Sequence, residues 1–311
     1  MTTAPTLPRT STLGIACLVA GILVFSIQDM ILKFLSDGYP LSEAMVLRSL
    51  TAAPILAVFA WRDGGLGTLF TAGIGRMVLR GVVMLVAYTS YYLALPALPI
   101  ASAVALYFSA PLFITVLSVV WLGERVSLPR WIAVAAGFAG VVVMVRPGAT
   151  LFEWAALLPV ISGLAYGTSM IFARSLGGRE TATAMAFWGN AVFLLAAIAM
   201  ALAFGDGRYA AGAHPSMQFL LRAWVWPSAL DAALMSGCGI IAAMGLTLLT
   251  QAYRSTPASV VAPFEYSAML WGVIWGWMVW RDWPDLMSWV GISIIIGAGL
   301  FVLWRERVER G

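Results

Sequence analysis

Glu265 is the residue of this sequence whose type and position most directly offer chemistry. It lies about eight residues, some ~12 Å, into an apolar stretch that starts at Pro257. At that depth in a bilayer a carboxyl group is costly unless it faces a polar cavity or a partner. It can serve there as a proton carrier or as the binder of an amine, or it is held by interhelical hydrogen bonds to a tyrosine or serine. Asp29 and Lys33 stand four residues apart, acid first, a spacing that suits an ion pair along one helix; Lys33 can also snorkel to the surface. With Arg48 in the next apolar stretch they form a structural network or a set of gating charges. Tyr88, Tyr91 and Tyr92 share a helix face at i, i+3 and i+4, and Tyr107 and Phe108 correspond to Phe264 and Tyr266 in a repeated segment. Rings beside a mid-depth carboxylate suit a solute with an apolar body and a charged amine, and Tyr166, Trp188 and Asn190 are further candidates for the lining. Trp271, Trp275, Trp277 and Trp280 are expected to face lipid or the outer interface.

Several chemistries are excluded by what the chain lacks. Lys33 is its one lysine and follows Leu32, so no phosphate-binding Gly-Lys-Ser/Thr loop can form. His214 is its one histidine, and Cys17 and Cys238 are isolated in apolar runs. No metal site, haem ligand pair, Ser-His-Asp triad or structural disulfide is therefore expected. Nor is an acid, base and nucleophile cluster visible at one depth, so the chain reads as no enzyme and as needing no cofactor.

The elements that position these residues follow from composition. Of the 311 residues, 61% are hydrophobic and 10% charged, against roughly 45–50% and about 25% in a soluble domain. The chain is an all-α polytopic membrane protein. Gly81 to Gly123 contains no charged residue and as one helix would be ~65 Å long, twice the hydrocarbon core. It must cross twice, turning at Leu95-Pro96-Ala97-Leu98-Pro99. Ten transmembrane helices result, near Thr12–Leu35, Ser42–Trp61, Ile74–Ala94, Leu98–Leu122, from Pro129 to before Arg146, Glu153–Ser175, Thr181–Ala203, Leu230–Tyr253, Pro257–Trp280 and Asp285–Trp304. The long loop before Leu230, with Trp224 and Trp226, reads as an interfacial segment. Placing both termini in the cytoplasm puts Arg9, Arg62, Arg76, Arg80, Arg125, Arg130, Arg174, Arg179, Arg254, Arg305, Arg307 and Arg310 inside. Lys33, Arg146, Arg208, Arg222 and Arg281 are then outside, as the positive-inside rule requires. The net charge of +4 is thus a topology signal that calls for no nucleic-acid partner.

The chain repeats itself. ASAVALY at Ala101–Tyr107 echoes ASVVAPF at Ala258–Phe264, and Met30-Ile31, Gly38 and Met45 recur as Met170-Ile171, Gly178 and Met185. Residues 1–148 and 149–311 form two five-helix repeats. An odd number of spans inverts the second, a plan that provides alternating access around a central cavity. Gly163-x-x-x-Gly167 and Gly272-x-x-x-Gly276 permit close helix approach, and Pro263 beside Glu265 is a candidate for gating.

Pro111, Leu122-Gly123-Glu124-Arg125, Trp131, Gly137 and Gly140 resemble the pattern of EamA-type transporters of the drug/metabolite transporter superfamily. The second half departs from it at Trp280-Arg281-Asp282. The resemblance covers nearly the whole chain. It implies a ten-helix, monomeric secondary transporter of the bacterial inner membrane that exports or facilitates amino acids, aromatic and other apolar ones. Gln28-Asp29, Lys33 and Arg48 are also similar to a branch with carriers of S-adenosylmethionine and other cofactors, so that substrate stands as the alternative.

Overall fold

Long apolar runs in lipid leave the backbone no hydrogen-bonding partner but itself, and they fold as helices for that reason. The computed structural model describes residues 9–122, 128–145, 153–176, 179–256, 264–265 and 267–310, and among them no strand occurs. The helices are α1 (Arg9–Leu35), α2 (Leu41–Arg62), α3 (Ile74–Ala94), α4 (Ile100–Tyr107), α5 (Ala110–Leu122) and α6 (Leu128–Val145), followed by α7 (Leu157–Leu176), α8 (Ala182–Phe204), the short α9 (Pro215–Leu221), α10 (Ala229–Ser255), α11 (Ser267–Trp275) and α12 (Leu286–Arg310). Seven stretches of the described residues are long and apolar enough to cross a membrane. Three shorter apolar helices, Val134–Val143, Ser267–Trp280 and Leu286–Ala298, join them. The chain is a multi-pass membrane protein.

Two of the expected spans are not continuous α-helix. The stretch from Leu98 to Leu122 breaks between Tyr107 and Ala110: Phe108 N bonds both Val104 O and Ala105 O at 3.1 Å, tightening the last turn of α4. Pro111, without an N–H and with its ring crowding the preceding turn, makes the break. The stretch ending at Trp280 finishes as a π-helical turn, Gly276–Trp280, closed by Arg281 in the left-handed region at φ 60°.

The first and second parts of the chain interlock. α1 packs along α10, α3 along α7, α2 along α8, α4 against α11 and α6 along α12. Glycines set the closest approaches. A Cβ on Gly163 would lie 3.0 Å from both Tyr107 O and Ala110 N, where α7 crosses the α4–α5 break, and one on Gly167 would meet Ile114 Cγ1 at 3.1 Å. The Gly163-x-x-x-Gly167 seam is therefore filled within the chain. The loop before α10 is fastened to the α1–α2 turn by Arg222 Nη1 to Ser36 O (2.8 Å) and by Tyr39 OH to Asp231 Oδ2 (2.7 Å). Trp226 in that loop is exposed.

Gly163→Val should lower the thermal unfolding midpoint in detergent, at a cost of ~1–3 kcal/mol for forcing a side chain against backbone. Gly189→Ala, whose Cβ would meet nothing within 4 Å, should be neutral or stabilise by up to ~1 kcal/mol. Equal midpoints for the two variants would contradict the close approach.

Candidate functional site

Four helices turn one stripe each toward a common cavity. On α1 the stripe is Ile22, Phe25, Ser26 and Asp29, and on α3 it is Met84, Ala87, Tyr88 and Tyr91. Both have the i, i+3, i+4, i+7 spacing of one helix face. α4 gives Ile100, Val104, Tyr107 and Phe108, the last two at its broken end, and the α11 side gives Glu265, Ala268, Gly272 and Trp275. Ser162 and Tyr166 of α7 and Leu249 of α10 complete the wall. The cavity these side chains enclose has a volume of about 90 Å³ and is open on one side.

The wall is aromatic. Tyr107 stands between Tyr91 and Tyr166, its ring centroid 5.5 Å and 5.4 Å from theirs, and Tyr88 packs 5.8 Å from Phe25. Two carboxylates interrupt it. Asp29 Oδ2 accepts a hydrogen bond from Tyr91 OH at 3.2 Å. Glu265, 4% exposed, accepts on Oε1 from Tyr166 OH at 3.0 Å and also from Tyr253 OH of α10. Its Oε2 is buried and has no partner among the described residues. The carboxyl group is thus both held by tyrosines and part of the cavity wall.

A cation is what this arrangement can hold. Ring faces carry negative potential and attract cations lying over them, and a buried carboxylate oxygen lacking a donor is costly until one arrives. Among the described residues no group of three or more His, Cys, Asp or Glu side chains could hold a metal.

Of the residues singled out in the sequence, Asp29, Tyr88, Tyr91, Tyr107, Phe108, Tyr166 and Glu265 meet in the cavity. Others do not. Trp188 gives its Nε1–H to Leu69 O at 2.8 Å in a separate cluster with Met77 and Met185. Asn190 gives Nδ2 to Ser49 O at 3.0 Å. Two positions apart on α8, Trp188 and Asn190 face different neighbours. Phe264 packs half-buried against the core. Lys33 donates to Leu95 O (2.7 Å) and Leu98 O (2.6 Å) with Trp280 beneath it (5.4 Å), tying α1 to the turn before α4. Arg48 bonds Gln28 behind the wall, and Tyr92 accepts from Gln28 Nε2. Tyr266, Pro263, Glu124, Arg125 and the second repeat copy up to Pro263 lie outside the described residues.

Two expectations are corrected. Trp275 does not face lipid: it lines the cavity and donates Nε1–H to Ser26 Oγ at 3.1 Å, with Trp271 stacked on it. Arg80 is not at a surface: it is 4% exposed, with Nε reaching Ser169 O at 3.3 Å and Nη2 reaching Thr250 Oγ1 at 3.5 Å, which ties α3 to α7 and α10. The stripe on α1 was also missed, although its spacing back from Asp29 was a usable signal.

Comparison with known proteins agrees with the geometry. The model of the EamA-like transporter family matches residues 12–146. The chain is 29% identical to a riboflavin transporter of Rhizobium johnstonii, over 97% of this chain and 95% of that one. It is 25% identical to an S-adenosylmethionine uptake transporter of Rickettsia conorii, over 96% and 95%, and 24% identical to a pseudopaline exporter of Pseudomonas aeruginosa, over 92% and 94%. Residues 12–146 thus match an EamA-like transporter, and the relatives that match nearly the whole chain are named as transporters or exporters. A solved crystal structure shares the fold at TM-score 0.65 and 18% identity, covering 95% of this chain and 98% of that one. The functions these relatives carry in their names are cofactor and metabolite transport rather than amino-acid export, which favours the alternative substrate over the first.

Trp275→Ala should raise the KM for transport at least several-fold, through loss of ring contact worth about 1–2 kcal/mol. Trp188→Phe should cost about 1 kcal/mol of stability, from one lost hydrogen bond, with KM unchanged. A KM that rises only for Trp188→Phe would invert this assignment of the two rings.

Proposed function

We propose that this chain is an EamA-type secondary carrier of a positively charged metabolite with an aromatic body, of the S-adenosylmethionine type, working by alternating access. The observation that carries the reading is Glu265: one oxygen held by Tyr166 and Tyr253, the other idle and buried in an aromatic cavity that also contains Asp29. A sulfonium or ammonium centre supplies the charge the two carboxylates lack, and a purine ring supplies a face for the tyrosines and Trp275. A neutral flavin offers the carboxylates hydrogen-bond donors but no positive charge, and an apolar amino acid offers one ammonium and no second cationic centre.

Ten crossings in two inverted five-helix repeats, 1–148 and 149–311, go with this reading. Exchanging corresponding helices of the two repeats turns the α1–α10 contact into the α7–α3 contact and maps the α2–α8, α4–α11 and α6–α12 contacts onto themselves. That is the pattern a two-fold axis in the membrane plane produces. The excess of arginine on one side supports a topology with both termini in the cytoplasm, and the bacterial relatives support an inner-membrane location. The carrier is read as a monomer.

Radiolabelled S-adenosylmethionine should accumulate by counterflow in liposomes containing the purified protein and preloaded with unlabelled substrate. Unlabelled excess outside should abolish the signal, and Glu265→Gln should reduce the rate about ten-fold or more. Accumulation of riboflavin or phenylalanine with none of the adenosyl compound would overturn the substrate, and full activity of Glu265→Gln would remove that carboxylate from the mechanism.

A further inference from the structure

Arg48 is fully buried on α2, at 0% exposure, and takes no part in the cavity wall. Its Nε donates to Gln28 Oε1 at 3.1 Å and its charge lies 5.3 Å over the Phe193 ring, while Nη1 and Nη2 have no partner among the described residues. Idle donors on a buried cation are expensive, and in native proteins they call for a water, an ion or a ligand that uses them.

Two connections lead from this guanidinium to the cavity. Gln28, which holds Nε, precedes Asp29 on α1, so consecutive residues address Arg48 and the cavity. Tyr88, a cavity residue, packs edge-on against Phe193 at 5.4 Å and stacks on Tyr92 at 5.7 Å, so it borders both the cavity and the ring beneath Arg48.

We propose that Arg48 is the specificity residue for a substrate carboxylate. Nη1 and Nη2, the fork of a guanidinium, match the two oxygens of a carboxylate. The carboxylate reaches them when the Tyr88 side chain turns away from Phe193, while Asp29 and Glu265 take the positive end. This rests on the cavity being the transport site and narrows its substrate class. The ligand is dipolar, an α-amino-acid head group joined to a cationic or aromatic body, and a molecule without the carboxylate binds poorly however well its rings fit. Amino acids and S-adenosylmethionine share that head group, and a flavin lacks it.

The test is competition in counterflow with two matched pairs: S-adenosylmethionine against its decarboxylated analogue, and phenylalanine against phenethylamine. Wild-type protein should prefer the carboxylate-bearing member of a transported pair by about ten- to a hundred-fold. Arg48→Gln should bring that ratio close to one while the decarboxylated member still competes, and Arg48→Lys should restore part of it. Should Arg48→Gln not fold, the wild-type ratio and the Arg48→Lys ratio decide alone. A wild-type ratio near one, or a ratio unchanged in Arg48→Gln, would overturn the proposal and leave the cationic carrier standing. Transport of phenylalanine with a carboxylate-dependent ratio would overturn the adenosyl reading and leave Arg48 in its role. Transport of riboflavin alone would overturn both.

Discussion

A carboxylate inside a lipid-embedded bundle has to be provided for, and the way Glu265 is provided for shapes the surroundings. Its Oε1 gathers hydroxyls from α7 and α10, so one side-chain oxygen joins two helices of the second part of the chain next to α11. Its Oε2 is buried with no partner among the described residues, in a side chain that lines the cavity. Hydrogen bonds to the first oxygen fix where the second one sits, and a group fixed in place loses little freedom when a cation binds. Asp29 repeats the arrangement from the first part of the chain with a single tyrosine, Tyr91. The cavity is the volume between two such supported acids.

The helix breaks serve the same place. α4 ends at Tyr107 and Phe108, both cavity residues, and α7 can pass this point closely because position 163 has no side chain. Broken helices are tolerated at membrane depth where protein or a cavity covers the freed backbone. Away from the cavity, Lys33 satisfies the carbonyls of Leu95 and Leu98 in the proline turn, and Arg80 joins α3 to α7 and α10. The charges of the bundle are thus sorted by task. Asp29 and Glu265 face the cavity, Lys33 and Arg80 tie helices together, and Arg48 lies behind the tyrosine wall.

Much of this was legible before any coordinates. Apolar runs and the charge-free stretch with its double proline are local signals, and most of the described helices start and end within a few residues of where those signals put them; the Leu98–Leu122 stretch is two helices, and the start expected at Pro257 lies outside the described residues. Glu265 was identifiable from depth and type together, and the tyrosines of α3 from their spacing. What was not legible depends on which helix arrives opposite. Trp275 has the composition of an interfacial ring, and only the presence of Ser26 across from it turns it inward. Arg80 sits less than two turns from the start of its helix, as a surface arginine would, and is buried because α7 and α10 cover it. Trp188 and Asn190 have suitable types at suitable depth, but the rotation of α8 points them at Leu69 and Ser49. The break in α4 was half visible in Pro111, whose position relative to the cavity no sequence pattern supplies.

Binding of S-adenosylmethionine and of S-adenosylhomocysteine to the purified protein, compared in one titration series, isolates the charge on which the account depends. The two ligands share the adenosine and the amino-acid head, and the second lacks the methyl group and the sulfonium charge. Two carboxylates in an aromatic cavity predict binding of the sulfonium compound tighter by about ten-fold or more, with the advantage lost in Glu265→Gln. Equal or tighter binding of the thioether, which keeps the α-ammonium but lacks the sulfonium, would show that the sulfonium charge is not read, and would contradict the role given to Glu265 and Asp29 toward it.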